Sequence, residues 1–301
     1  MPSGLVVAAY GKRYDVELAD DSTNNTQRIS CVTRGKKTDL ACGDKVTIKL
    51  TDKAQGVVET CLPRASILYR SSTIKSKTIA TNVTQIVIVL ATQPSFYEAL
   101  LNRCLVAAEA ANIKPLIVLN KCDLVDKPGD TTDAKTKLAL YQSLGYQVLH
   151  LSAKQDISAL RPYLTNHQSV LVGQSGMGKS TIINALLPGQ NVRTQVMSEA
   201  LDSGKHTTTA AHLYHLDAPD FKDDSSLIDS PGLQEFGLNH LTQTDLELAF
   251  IEFKPYLGKC RFNNCKHTHE PDCAVTQAVN AGKISPSRLK FYQELTLEIA
   301  Q

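Results

Sequence analysis

The architecture of the chain follows from Ser169-Val170-Leu171-Val172-Gly173-Gln174-Ser175-Gly176-Met177-Gly178-Lys179-Ser180. The last eight residues fit G-x-x-x-x-G-K-[ST] directly after a strand pattern, and the apolar run 181–187 continues them as a helix. Glycines let backbone N–H groups turn towards phosphates, Lys179 reaches the β- and γ-phosphates, and the Ser180 hydroxyl suits Mg²⁺. This stretch therefore predicts a nucleoside triphosphate site on an α/β sheet.

A second motif predicts which base is bound. Asn120-Lys121-Cys122-Asp123 follows a strand pattern, and a carboxylate at Asp123 can accept from both N1–H and the 2-amino group of guanine. Adenine lacks that donor pair, so the motif favours GTP over ATP. Ser152-Ala153-Lys154 follows the next strand pattern and would reach the guanine O6 through backbone N–H. The predicted GTP-binding residues are Asn120, Lys121, Cys122, Asp123, Ser152, Ala153, Lys154, Gly173, Gln174, Ser175, Gly176, Met177, Gly178, Lys179, Ser180, Thr181 and Gly232.

Two further motifs predict the γ-phosphate and magnesium contacts. Asp229-Ser230-Pro231-Gly232 is a D-x-x-G whose Asp229 would hold Mg²⁺ through water, while the N–H of Gly232 would sense the γ-phosphate. The run Lys205-His206-Thr207-Thr208-Thr209 offers Thr208 as a magnesium ligand beside Ser180. The alternative for the threonine run is a solvated strand entry, since threonine favours strands.

The water-orienting residue is predicted to be a histidine. Leu233 follows the D-x-x-G where Ras-like enzymes have glutamine, and an aliphatic side chain cannot orient water. His206 is the nearest polar candidate among the motifs, because a neutral imidazole can hold a water by hydrogen bond. The alternative is a surface histidine on a loop. The predicted catalytic residues are His206, Lys179, Thr208 and Asp229.

The N-terminal part has a different periodicity. Up to residue 70, short runs alternate apolar and polar residues between turn-rich spacers, which predicts an antiparallel barrel of about five strands. An oligonucleotide-binding barrel is one candidate, and a barrel that serves only as a spacer is the other. The stretch from Arg64 to Lys77 reads as a basic linker.

From residue 85 the pattern changes to buried strands that alternate with amphipathic helices. Continuous β-branched runs at 85–90, 116–119, 148–151, 170–172, 212–216 and 227–229 predict a parallel α/β sheet. We therefore expect three domains, a barrel over 1–75, a nucleotide-binding domain over 76–240 and a helical domain over 241–301.

The tail carries a metal-ligand pattern. Cys260-x4-Cys265-x-His267-x5-Cys273 brings four ligands within a short stretch, a Cys3His set suited to structural Zn²⁺. His269 is an alternative ligand to His267. The apolar stripe Leu289, Tyr292, Leu295 and Ile299 is predicted to pack on this zinc loop.

Composition limits the possible classes. The 301 residues are 42% hydrophobic and 21% charged, which excludes a disordered polymer and indicates two or three cores. The net charge is +2, but the charges are unevenly distributed, with an acidic middle part between basic ends. Basic ends are compatible with binding to nucleic acid. We found neither a membrane-spanning apolar run nor a signal sequence, so we expect a cytoplasmic protein without a membrane partner.

The order of the motifs is the most informative feature. N-K-x-D and S-A-K precede the phosphate loop, so the G domain is circularly permuted relative to Ras-like GTPases. The chain here resembles the ribosome small-subunit-dependent GTPase A family over essentially its whole length, including Ile79-Ala80-Thr81-Asn82-Val83 and the 205–209 switch. The resemblance implies a multidomain protein with an N-terminal oligonucleotide-binding β-barrel, a circularly permuted α/β P-loop GTPase domain and a C-terminal helical zinc-binding domain.

The same resemblance implies function. It points to GTP hydrolysis that the 30S ribosomal subunit stimulates during late maturation, with 16S rRNA as partner. It also favours His206 for the water and His267 for the zinc. We expect a monomer with one structural Zn²⁺ per chain and Mg²⁺ bound with GTP. The rival hypothesis is an RNA-binding scaffold whose guanine nucleotide only stabilises or regulates the fold, but the intact catalytic set favours an enzyme.

Overall fold

The computed structural model describes residues 1–18, 27–34, 40–70, 77–124, 130–188, 211–216, 221, 224–230 and 236–300. The strands are β1 (Ser3–Tyr10), β2 (Arg13–Leu18), β3 (Gln27–Thr33), β4 (Lys45–Asp52), β5 (Gln55–Cys61), β6 (Ile67–Arg70), β7 (Lys77–Thr81), β8 (Gln85–Ala91), β9 (Lys114–Asn120), β10 (Val148–His150), β11 (Gln168–Val172), β12 (His212–His215) and β13 (Ser226–Asp229). The helices are α1 (Glu98–Ala110), α2 (Asp130–Ser143), α3 (Arg161–Leu164), α4 (Lys179–Leu186), α5 (Gln243–Ala249), α6 (Ala274–Asn280) and α7 (Pro286–Ile299).

The five N-terminal strands form a closed barrel. Their order is β1-β2-β3-β5-β4, and β4 pairs back onto β1. Neighbours are antiparallel except β3 and β5, which are parallel. The alternation in the sequence turns Val16, Ile29 and Ile48 inward, where each is fully buried. The predicted barrel is confirmed, and five strands closed in this way are the arrangement of oligonucleotide-binding folds.

Near its two ends, the stretch Arg64–Lys77, which we expected to be a linker, contributes to a pair of strands between the barrel and the central sheet, while residues 71–76 lie outside the described residues. β6 pairs antiparallel with β7, with Ile67 opposite Thr81. Leu68 is 2% exposed and belongs to the core under the central sheet. The apolar residues between the basic ones therefore stabilise a strand, because they bury their side chains against the neighbouring domain.

Buried Asp44 fastens this pair of strands to the barrel. Its carboxylate accepts hydrogen bonds from Arg64 at 2.7 Å, from the hydroxyl of Thr81 at 2.8 Å and from the backbone N–H of Ala41 at 2.8 Å. A buried carboxylate needs such partners, since an unpaired buried charge is strongly destabilising. Arg64 donates two of these bonds, and together the three partner residues hold β6 and β7 against the barrel.

The central sheet has the order β10-β9-β8-β11-β13-β12. The first five strands are parallel, as predicted, but β12 runs antiparallel to β13. The prediction of a parallel strand at 212–216 was therefore wrong in direction. Residues 216–225 between the two strands are too few for the crossover that parallel neighbours require. β12 also contacts the barrel, where His212 pairs with Ala8 of β1.

The sheet topology confirms the circular permutation. β9, which ends in the N-K-x-D motif, precedes β11, which leads into the phosphate loop, yet both belong to one parallel sheet with β8 between them. The carboxyl ends of parallel strands lie at one edge, which is where open α/β sheets bind ligands.

The tail is helical, as predicted, and packs on α1. Helix α5 begins with a capping box, in which Thr242 and Asp245 exchange hydrogen bonds of 2.9 and 3.2 Å. Phe250, Phe253 and Tyr292 follow in a buried aromatic cluster with ring centroids 5.0–5.4 Å apart. On α7, Leu289, Tyr292 and Leu295 of the predicted stripe are buried, Ile299 is half-buried, and the ring of Tyr292 lies 5.8 Å from that of His267 in the metal-ligand loop.

A buried arginine ties the tail to the G domain. Arg288 is 1% exposed, pairs with Glu252 at 2.5 Å and donates to the side chain of Asn102 at 2.8 Å. Its guanidinium also lies 4.5 Å from the ring centroid of Phe250. In the described part of the chain, every helix is too short or too polar to cross a bilayer. The domain limits at 75 and 240 stay predictions.

Candidate functional site

The phosphate loop is shaped by its glycines. Gly173 has φ +148°, and a Cβ there would lie 2.2 Å from the carbonyl oxygen of Val89. Gly178 has φ +96°, and a Cβ there would lie 2.3 Å from the amide nitrogen of Asn120. Neither position accepts a side chain, because the obstructing atoms belong to the β8 backbone and to a buried amide. The loop therefore runs directly over the end of β8.

Lys179 lies inside the curve of this loop. Its ammonium donates to the carbonyl oxygens of Gly173 at 2.5 Å and Gln174 at 2.8 Å. Burial lowers the pKa of Lys179, and the carboxylate of Asp229 opposes that change. The cation is thus held at the first turn of α4, where backbone N–H groups also favour an anion.

Asp229 ends β13 beside the phosphate loop. In the antiparallel ladder of β12 and β13, Asp229 lies opposite His212. Burial raises the pKa of Asp229, while His212 and Lys179 oppose the rise. A carboxylate at the end of a strand, close to the loop lysine, suits a magnesium ion that is bound through water.

Asn120 ties the two halves of the site together. Its side chain is 2% exposed, and its amide donates to the carbonyl oxygen of Met177 at 3.0 Å. Its amide oxygen accepts from the backbone N–H of Ala153 at 2.9 Å. One side chain therefore joins the phosphate loop, the N-K-x-D turn and the S-A-K turn, which come from three parts of the chain.

Lys121 adopts a positive φ of 60°, which is uncommon for a residue with a side chain. Two bonds stabilise this turn: the hydroxyl of Thr92 donates to the carbonyl oxygen of Lys121 at 2.9 Å, and the Lys121 ammonium donates to the carbonyl of Gln93 at 2.8 Å. Sequence reasoning missed Thr92 and Gln93. Their position directly after β8, at the same sheet edge, is the signal that could have found them.

The side chain of Asp123 is oriented by the neighbouring S-A-K turn. The hydroxyl of Ser152 donates to this carboxylate, and this bond is the main cause that lowers the pKa of Asp123. An ionised carboxylate accepts only, so it suits a base edge that carries two donors. Exposed Lys154 lowers the same pKa further. The Cys122 backbone N–H donates to the Leu151 carbonyl at 3.2 Å and aligns the turn.

The other predicted loop residues occupy the same edge. Ser175, Gly176 and Ser180 are exposed, while Thr181 is half-buried on the first turn of α4. His206, Thr208 and Gly232 lie outside the described residues, so their predicted contacts to water, magnesium and the γ-phosphate stay predictions.

The tail ligands converge as the spacing predicts. The ligand atoms of Cys260, Cys265, His267 and Cys273 all lie within 4.8 Å of one another. The Nδ1 atom of His267 is 3.7, 3.5 and 3.3 Å from the three sulfurs. Ligands about 2.0–2.3 Å from a tetrahedral zinc are about 3.3–3.8 Å apart, so the donor set fits Zn²⁺. His269 is exposed and lies outside this group.

The side of His267 that faces away from the three sulfurs lies against helices α5 and α7. Its Nε2 atom is buried without a hydrogen-bond partner among the described residues and lies 3.9 Å from Glu247. Gln293 of α7 donates to the backbone carbonyl of His267 at 2.8 Å. Metal-bound histidines commonly direct their second nitrogen towards a carboxylate, so Glu247 suits this supporting role.

The ligand loop is also organised by an acidic side chain. Burial raises the pKa of Glu270, but backbone N–H groups of Lys266, Thr268 and His269 outweigh it and lower the pKa to about 2. Cys273 caps α6 and accepts from the backbone N–H of Thr276 at 3.4 Å. In this loop, the side chains of Glu270 and Cys273 therefore accept the hydrogen bonds of backbone N–H groups.

Comparison with known proteins gives consistent matches. A family model described as RsgA GTPase matches residues 61–239. The small ribosomal subunit biogenesis GTPase RsgA of Nitrosospira multiformis is 50% identical over 97% of this chain and 89% of its own length. The protein of the same name from Nitrosomonas europaea is 47% identical over 97% of this chain and 90% of its own length.

Two solved structures are also similar. YjeQ from Thermotoga maritima matches with a TM-score of 0.76 and 29% identity, over 99% of this chain and 98% of its own. YloQ, described as a circularly permuted GTPase, matches with a TM-score of 0.73 and 29% identity, over 100% of this chain and 95% of its own.

Proposed function

Because the chain belongs to the RsgA GTPase family, we propose that it hydrolyses GTP and acts in the biogenesis of the small ribosomal subunit. The observation that carries this proposal is the junction at Asn120. Its side chain bonds both the phosphate loop and the S-A-K turn, so a base held at Asp123 and phosphates held at Lys179 belong to one ligand.

We assign the nucleotide contacts as follows. The backbone of the phosphate loop surrounds the phosphates, and Lys179 contacts the β- and γ-phosphates in place of its present carbonyl partners. Asp123 selects guanine, and Ser152 keeps its carboxylate ionised and aligned. Mg²⁺, when bound, neutralises charge between the β- and γ-phosphates, and Ser180, Thr208 and Asp229 are the residues proposed to hold it.

Hydrolysis needs an oriented water. The water oxygen bonds to the γ-phosphorus, the bond to the β–γ bridging oxygen breaks, and GDP, inorganic phosphate and a proton are released. His206 is proposed to hold that water, since Leu233 cannot. The N–H of Gly232 is proposed to contact the γ-phosphate. Positioning and charge stabilisation carry most of the catalysis in such transfers.

The barrel is proposed to contact the 16S rRNA of the small subunit. A groove of about 420 Å³ on its surface is lined in part by Tyr10, Lys12 and Arg13. The guanidinium of Arg13 lies 5.0 Å from the ring centroid of Tyr10. Basic groups beside an aromatic ring suit phosphates and stacked bases. We propose a monomer that works in the cytoplasm, where ribosomal subunits mature.

The tail is proposed to hold one structural Zn²⁺ per chain through Cys260, Cys265, His267 and Cys273. All four donors are protein atoms, which leaves no position for substrate at a tetrahedral ion. The fit of the donor separations to zinc supports this assignment. Its role is to hold the loop against α5 and α7.

Two binding experiments test the proposal. A fluorescent guanine nucleotide should be displaced by GTP and GDP but not by ATP. The protein should then sediment with small ribosomal subunits, more strongly with a non-hydrolysable GTP analogue than with GDP, and not with large subunits. Equal displacement by ATP, or binding to small subunits that ignores the nucleotide, would contradict the proposal.

A further inference from the structure

The turn that carries Asp123 is closed on one carbonyl oxygen. The backbone N–H of Leu124 donates to the carbonyl oxygen of Lys121 at 3.1 Å, which is the closing bond of a four-residue turn with Asp123 in its third position. Lys121 has a positive φ of 60°, so the turn begins from an uncommon backbone conformation. A shift of the Lys121 carbonyl would therefore move the Asp123 carboxylate.

Thr92 holds the same carbonyl from the neighbouring strand. Its hydroxyl donates to the carbonyl oxygen of Lys121 at 2.9 Å, directly after the end of β8. Its backbone N–H donates to the carbonyl oxygen of Asn120 at 3.3 Å and continues the pairing of β8 with β9. Thr92 is 4% exposed, so water has little access to these bonds. A carbonyl oxygen has two lone pairs, and at Lys121 the Leu124 N–H and the Thr92 hydroxyl use both.

Further contacts hold the turn from the opposite side of β9. The backbone N–H of Cys122 donates to the carbonyl oxygen of Leu151 at 3.2 Å, and the hydroxyl of Ser152 donates to the Asp123 carboxylate. Both partners follow β10, which lies on the other side of β9 from β8. Loss of the Thr92 hydroxyl would leave these contacts in place, so we expect the turn to shift and not to unfold.

We propose that Thr92 is a positioning residue that sets the selectivity for guanine, acting through the Lys121 carbonyl on the Asp123 carboxylate. Two hydrogen bonds from one base to one carboxylate require both oxygens to be in place, so a small shift of the turn lowers affinity and discrimination together. The base is remote from the reacting γ-phosphate, so the chemical step does not depend on this contact. This inference rests on the proposed GTPase function, since it requires Asp123 to bind guanine.

Thr92→Val is the first test, because valine keeps the β-branched shape and the backbone N–H but removes the hydroxyl. Titrations with fluorescent nucleotides measure Kd for GTP and for inosine triphosphate, which lacks the 2-amino group of guanine. We expect GTP to bind about tenfold more weakly and inosine triphosphate about threefold more weakly, so the preference for GTP falls about threefold. If this variant does not fold, Thr92→Ala serves, because it removes the hydroxyl without placing a methyl group against the carbonyl.

Thr92→Ser is the conservative variant. It keeps the hydroxyl and should bind both nucleotides as the wild type does. Turnover with small ribosomal subunits then separates binding from chemistry in Thr92→Val. The KM for GTP should rise, while kcat at saturating GTP should change less than about twofold, because only a contact to the base is weakened.

Thr296→Val is the matched control. Thr296 is also buried, and its hydroxyl donates to a main-chain carbonyl oxygen, that of Tyr292 in α7, at 3.0 Å. This variant loses the same kind of bond in the tail. It should keep the Kd of both nucleotides, whatever loss of stability urea unfolding shows.

The outcomes separate this inference from the proposed function. Wild-type protein that binds ATP as well as GTP would overturn the proposed function itself. If the wild type selects GTP, an unchanged preference over inosine triphosphate in folded Thr92→Val or Thr92→Ala would overturn the positioning role. Binding by Thr92→Ser as weak as that of Thr92→Val would show that the hydroxyl is not responsible. An equal loss of GTP affinity in Thr296→Val would mean that reduced stability, and not the position of Asp123, causes the effect.

Discussion

The nucleotide site and the metal-ligand loop are built in opposite ways. The nucleotide site gathers turns that lie between Thr92 and Asp229 in sequence, and parallel strands bring them to one edge. The metal-ligand loop takes all four donors from 260–273, a stretch in which only the last ligand adjoins a helix. The nucleotide site lies on a sheet that is stabilised by its own buried strands. The metal-ligand loop contains little regular secondary structure, and its four donor side chains lie within one short stretch.

This difference determines what a substitution does. In the nucleotide site, buried strands such as β8 carry the stability, so changing an edge residue alters ligand binding and spares the fold. At the proposed zinc site, the free energy of metal binding would also be folding free energy, so we expect that losing one ligand loosens the surrounding structure. The predictions below test this contrast, from the largest expected effect to the smallest.

Substitution of Asp123, the carboxylate proposed to recognise the base, should have the largest effect. Asp123→Asn replaces a carboxylate, which accepts two hydrogen bonds from guanine, by an amide that has both a donor and an acceptor. The amide can donate to the 2-oxo group that xanthine has in place of the 2-amino group of guanine. We expect the preference for GTP over xanthosine triphosphate to fall on the order of 10⁴-fold, because unpaired polar groups are costly in a built site. Competition titrations with both nucleotides measure it. Asp156→Asn, an exposed neighbour after the S-A-K turn, should keep the preference; a similar loss there would point to general charge effects.

Substitution of His206, the proposed water-orienting residue, should have the next largest effect. His206→Ala is expected to keep GTP affinity and to lower subunit-stimulated turnover on the order of 10²-fold, because only the attacking water loses a partner. Single-turnover kinetics and nucleotide titrations separate the two quantities. His269→Ala, an exposed histidine of the tail, is the control and should turn over GTP normally. Unchanged turnover in His206→Ala would remove His206 from the mechanism.

Removing a metal ligand should affect one region only. Cys265→Ser is expected to lose the single zinc and to speed hydrogen exchange beyond residue 255, while GTP binding persists. The buried thiol lies within the ligand group, so no other residue replaces it. Metal analysis and exchange mass spectrometry measure this outcome. Cys61→Ser alters an exposed cysteine of the barrel and should keep the metal; loss of GTP binding in Cys265→Ser would mean that the two regions fold together.

A long-range ion pair gives the smallest expected effect. Burial raises the pKa of Glu17, but His215 at 2.6 Å and Arg28 at 2.9 Å outweigh it and hold the pKa below its ordinary value of 4.5. The carboxylate therefore stabilises the fold above about pH 4.5, and that stability is lost as the pH falls further. Glu17→Gln should lower the free energy of unfolding by about 1–2 kcal/mol at pH 7.

Urea unfolding at pH 7 and below pH 4.5 checks this dependence. The difference between Glu17→Gln and wild type should shrink as the pH falls below 4.5 and through the lowered folded-state pKa of Glu17, because the wild-type carboxylate then becomes protonated as well. Glu294→Gln, which changes an exposed carboxylate, should show no such dependence. A difference that is equal at both pH values would show that the loss comes from packing and not from charge.

Local motifs made much of this molecule predictable. The phosphate loop, N-K-x-D and the cysteine spacing each place their chemistry within a few residues, so the sequence alone indicates the ligand. The antiparallel direction of β12 was missed because a buried strand shows the same β-branched run in either direction. The strand at Ile67 was missed because its basic residues suggested solvent.

Contacts between distant residues could not be predicted. Thr92 supports Lys121, and Arg103 joins Phe236 to Glu298, but each pair forms only after the sheet and helices have packed. Periodicity indicates that a residue lies on a buried face, but it does not name the partner across the interface. The Arg103–Glu298 pair connects α1 to α7 of the tail, whereas the Thr92–Lys121 contact joins two turns at one edge of the sheet.

The most direct test of the account is GTP turnover by the wild-type protein with and without purified small ribosomal subunits. We predict slow turnover alone, a marked increase with small subunits, no increase with large subunits, and loss of the increase in Lys179→Ala. Turnover that is the same with and without small subunits, measured on protein that binds GTP, would contradict the claim that this chain is a GTPase of small-subunit biogenesis.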